Sequence, residues 1–94
     1  MNFAAFKASV AAESPPAEAG LALQALWHAA KGDWEAAHKL AQDDKTQSGS
    51  WVHAYLHRVE GDLSNAGHWY RKAGRSEASG SLQQEWRQIA EELL

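Results

Sequence analysis

The stretch Ser50–Gly74, SWVHAYLHRVEGDLSNAGHWYRKAG, decides the fold. Before its centre, Val52, Tyr55, Leu56 and Val59 recur at the spacing of one helix face. Gly61 then stands where a helix can end in a left-handed residue, a conformation glycine reaches without a side-chain clash. Asp62 follows as an N-cap, its carboxylate able to accept from the free amides of the next turn. The second helix runs from about Leu63 to Ala73, and Gly74 can end it. Helices joined by so short a corner must lie back to back, so this stretch reads as an αα-hairpin.

Working outward, Gly32-Asp33 repeats the corner 29 residues earlier. The same shift aligns Ala25 with Ala54, His28 with His57, and Ala37 with Ala66. Each copy is helix, glycine–aspartate corner, helix, with small residues where two helices approach, and the period lies within the range of helical repeat units. The first copy runs through Leu21, Leu23, Leu26 and Trp27 to Lys31, opened by Ser14-Pro15-Pro16. Asp33 caps its second helix, Trp34 to about Gln42, with Ala37, Leu40 and Ala41 as the inner face. The polar segment Asp43–Gly49 reads as a loop, with Ser50 capping the next helix.

Two flanking helices complete the expectation. Phe3, Phe6 and Val10 mark a short one within Asn2–Ala12, which must dock to persist in water. After the connection Arg75–Gly80, Ser81 and Gln84 have capping-box spacing. Leu82, Trp86, Ile89 and Leu93 then make one side apolar, as in a terminal helix covering an open core edge. The expected fold is all-α, about five helices. It has two hairpins, about 17–43 and 50–74, a short N-terminal helix and a C-terminal capping helix, about 81–93, in one domain spanning 1–94.

Composition narrows the function. Ninety-four residues suffice for one modest core, and alanine supplies much of the 45% hydrophobic content, which favours helices. The chain lacks cysteine, which removes disulfides and thiolate chemistry and suits a cytoplasmic protein. No segment is apolar enough to span a bilayer, and the N-terminus does not read as a signal peptide. The net charge of −3 argues against broad nucleic-acid binding. No phosphate loop, nucleophile elbow or metalloprotease helix is present, so catalysis has no candidate residues and no cofactor is expected.

Ala54-x-x-His57, Gly61-Asp62 and Ala66-x-x-x-Tyr70 resemble the tetratricopeptide-repeat pattern over Ala54–Ala73. The first copy keeps Ala25, Gly32-Asp33 and Ala37, with Ala41 in place of the aromatic. It departs from that family in its period, in histidine at a usual tyrosine position, and in lacking a closing proline. The string WVHAYLHRVEGDLSNA…WYRKAG also looks like a family of small bacterial proteins, a resemblance that brings no activity with it. The repeat resemblance implies that the first helix of each pair lines a concave, peptide-contacting surface. Trp51, Tyr55 and Arg58 fall there, with Asn65 and Tyr70 beside them, as candidates for binding a protein or peptide partner. Core filling is the other role open to the aromatics, and a second copy of the chain could shield the repeat ends.

The alternative is a small-ligand or divalent-metal-binding protein, with an enzyme left open in that class, built on His53, His57 and Glu60, which recur at i, i+4 and i+7. Amphipathicity puts the three on a wet face, whereas the repeat alignment packs His57 and His28 between helices. A basic stripe of His68, Arg71, Lys72 and Arg75 lies near a helix end, where the helix dipole favours cations without any ligand.

Overall fold

Both glycine–aspartate corners end one helix and cap the next. A computed structural model describes residues 1–94, and in it Gly32 and Gly61 adopt φ of 81° and 85°. The Asp33 and Asp62 amides each reach back to a histidine carbonyl, His28 at 3.0 Å and His57 at 2.9 Å. Each aspartate carboxylate accepts from an amide three residues on, Ala36 or Asn65. Orphan groups on both sides of each bend are therefore satisfied by local bonds spanning three to five residues.

The chain is all-helical, with six helices and no strand: α1 (Phe3–Ser9), α2 (Leu21–Ala30), α3 (Trp34–Asp43), α4 (Gln47–Val59), α5 (Leu63–Ala73) and α6 (Leu82–Leu93). The most extensive packing is α4 on α5 and α2 on α3, so two helical hairpins form, and α3 packs against α4 to join them. Alanines at positions 25, 37, 41, 54 and 66 are buried where the helices approach. No helix is long and apolar enough to cross a membrane.

Two boundaries differ from the sequence expectation. Helix α2 begins at Leu21, not near residue 17. A turn closes from Ala19 N–H to the Pro16 carbonyl, Gly20 is extended, and the Gln24 side-chain amide donates back to the Ala19 carbonyl. Helix α4 begins at Gln47, three residues before Ser50. Thr46 is the N-cap, its hydroxyl accepting from Gly49 N–H, while Asp44 Oδ1 accepts from the Thr46 amide and hydroxyl. Local Asp and Thr chemistry thus shortens the expected loop and lengthens the helix.

The flanking helices dock on the hairpins. Phe6 is fully buried and stacks on Trp86 at 5.7 Å, and Trp27 Nε1 donates to the Ser9 carbonyl. Burying one phenylalanine contributes about 2–3 kcal/mol, enough to hold a seven-residue helix that would fray alone. Helix α6 forms both bonds of the Ser81–Gln84 capping box. It then runs beside α4, α2 and α1, burying Ile89 and Ala90, and Trp86 Nε1 donates to the Leu26 carbonyl.

Candidate functional site

The α4 face carries two assemblies, one toward α6 and one toward α3 and α5. On the α6 side, Glu85 is 4% exposed and collects donors from two other helices. Tyr70 Oη donates at 2.6–2.8 Å, Arg58 Nη1 at 3.0 Å and Trp51 Nε1 at 3.4 Å. The second Arg58 nitrogen donates to the Gly80 carbonyl, tying down the connection before α6. Arg75 lies 3.4 Å from the Trp51 ring and pairs with Glu92 at 2.7 Å. Its hydrogen bond is the main cause that holds the Glu92 carboxyl below the usual range.

The carboxylate occupies the first turn of α6, where the helix dipole favours negative charge. Burial pushes the Tyr70 hydroxyl well above its ordinary range, and its bond to Glu85 adds to the shift. Burial likewise raises Tyr55 to about 12, reinforced by the Glu85 charge and opposed by Arg58.

The residues expected on an open first-helix surface are therefore placed otherwise. Trp51, Tyr55 and Tyr70 are buried, and Arg58 is mostly covered. Helix α6 lies over this face in the free chain. The chain's own last helix packs there, and its Glu85 is the common acceptor of the Arg58 guanidinium, the Trp51 indole N–H and the Tyr70 hydroxyl. Glu85 was missed by sequence reasoning, although a glutamate beside Trp86 on an otherwise apolar face was the available signal.

On the opposite side, Trp34 and His38 of α3 meet His53 and His57 of α4. Each histidine offers a ring nitrogen within 4.8 Å of the other two. The His38 ring stands edge-on to His53 at 4.6 Å and to His57 at 5.3 Å. Trp69 of α5 stacks on His53 at 3.8 Å, and Trp34 stacks on His38 at 4.7 Å while donating to the Leu56 carbonyl. His57 Nδ1 lies 2.6 Å from Glu60 Oε1 and its Nε2 lies 3.3 Å from Asn65 Nδ2. A carboxylate only accepts, so Nδ1 carries the proton and bare Nε2 accepts from the asparagine amide.

His53 and His57 are buried, not on a wet face, and Glu60 remains at the rim holding His57. His38 replaces Glu60 as the third group facing the pair. Burial lowers the His53 pKa to about 4, with the neighbouring His38 and His57 charges adding to it. Burial, and then His57, lowers that of His38 as well. Asn65 braces His57, while the basic stripe is dispersed, Lys72 over Trp69 and Arg75 over Trp51. His28, the repeat counterpart of His57, meets the edge of Trp27 instead.

No known protein family, curated protein or solved structure matches the chain.

Proposed function

We propose that this chain is a non-catalytic, tetratricopeptide-like module that binds an amphipathic helix carrying an acidic residue in its first turn. The observation that supports it is the convergence of Trp51, Arg58 and Tyr70 on Glu85, which is how a groove recognises a carboxylate on a helix. Helix α6 fills the groove as an internal occupant. It is tethered through Arg75–Ser81, a segment without helix or strand, and α5 reaches it through side chains such as Tyr70. A cavity of about 650 Å³, lined by Trp51, Arg75, Glu85 and Glu92, leaves one flank of α6 unsealed.

A tethered helix competes at an effective concentration on the order of millimolar, so an outside helix gains access when the internal one is weakened. The test is a labelled peptide of residues 81–94 titrated into the wild-type chain and into Glu85→Gln. The peptide is expected to bind the variant at least tenfold more tightly than the wild type. A peptide bearing the same substitution is expected to bind neither. Equal affinities, or a variant that loses helix throughout the chain, would show α6 to be an inseparable part of the core.

A further inference from the structure

His53 Nδ1 is buried and has no hydrogen-bond partner, which makes it the one side-chain atom of its kind in the molecule. Leaving such a group unsatisfied is unfavourable, because its lost hydration is not replaced by a hydrogen bond. It lies in the seam between the hairpins, on the opposite side of α4 from Glu85, where the other two imidazoles converge. We propose that His38, His53 and His57 bind one divalent ion of the later first-row transition metals, such as zinc, nickel or cobalt.

Three arguments carry this. The first is donor geometry. Nitrogens bound to one tetrahedral ion at about 2.0–2.1 Å lie about 3.3 Å apart, so a set within 4.8 Å closes by side-chain shifts of about an ångström. The second is ligand type. Three imidazoles suit zinc, nickel, cobalt or copper, whereas magnesium and calcium take oxygen donors. The third is the surrounding support. Trp34 and Trp69 stack on His38 and His53 and restrict their rings, and the Glu60 carboxylate holds His57 Nδ1–H. A carboxylate on the non-ligating nitrogen fixes the tautomer and raises the basicity of the other nitrogen.

Nε2 of His57 is then the ligating atom, and the Asn65 amide gives up its bond on metal entry. Asp62 and Glu60 lie near His57 at the exposed edge of the seam, the side from which an ion can approach. His38 belongs to the first hairpin and the other two ligands to the second, so the ion fastens one hairpin to the other. This site shares no residue with the α6 groove, and its failure would leave the helix-binding reading untouched.

The experiment is a calorimetric titration of zinc, nickel or cobalt salts alone into the untagged full-length chain, with cobalt also followed by its visible spectrum. The expected result is one ion per chain with micromolar or tighter affinity, and a cobalt spectrum of nitrogen-rich, low-coordinate type. At a hundredfold excess over Kd the melting temperature should rise by roughly 10 °C. His38→Gln should weaken binding more than tenfold. Glu60→Gln should weaken it about 10–100-fold, and His28→Gln should change nothing. His38 is only partly buried, so its variant retains the fold where a His53 change could disturb packing. Absence of binding by the wild-type chain would overturn the proposal. So would full affinity in His38→Gln, which would place the ion on the α4 pair alone.

Discussion

Removing the Glu85 carboxylate leaves the buried Tyr70 and the largely covered Arg58 without their common acceptor. Breaking such a pair from one side costs about 3–5 kcal/mol, and the residual Arg58–Gly80 bond places Glu85→Ala near the lower end. Urea denaturation should show that loss. His53 gives a pH dependence of definite sign in the metal-free chain. The unfolded chain takes up a proton near pH 6.5, while the folded chain refuses it until about pH 4. This stability is complete above about pH 6.5 and falls as pH drops towards 4, by up to about 3 kcal/mol. His38 adds in the same direction, and the neighbouring His57, His68 and Lys45 charges oppose protonation of His53. A His53→Gln chain should show a flatter profile of urea midpoint against pH. Residue identities announced the pair His53–His57, because four residues on a helix is a direct neighbour relation. His38 was not legible, since its contact with them depends on how α3 lies against α4.

At the scale of the element, the corners and caps were the readable part. Gly61 has open space around the position of a Cβ, so Gly61→Ala should cost only backbone strain, about 1–2 kcal/mol. Gly49→Ala differs in kind. A Cβ there would overlap the Asp44 carbonyl oxygen and side chain, so the start of α4 must shift, and a larger loss is expected in thermal melts. Gly49 was read as loop because glycine and serine are common there. The Asp44–Thr46 hydrogen bonds that start the helix are side-chain events that composition does not reveal. The Ser81–Gln84 box was visible because it is local, needing only two residue types at a fixed separation.

At the scale of the molecule, hairpin formation followed from short connections, whereas the placement of α6 did not. Its apolar positions announced a covering helix, whereas Trp51, Tyr55 and Arg58 were expected to line an open recognition surface. Only the fold brings the two together through Glu85. In the proposed function, α6 is a replaceable occupant of the groove. Native-state amide hydrogen exchange across α6, compared with α4 and α5, tests it most directly. The α6 amides are expected to exchange through a partial opening of lower free energy than global unfolding, with the hairpin amides still protected. Exchange of α6 only through the same global unfolding as α4 and α5 would contradict it.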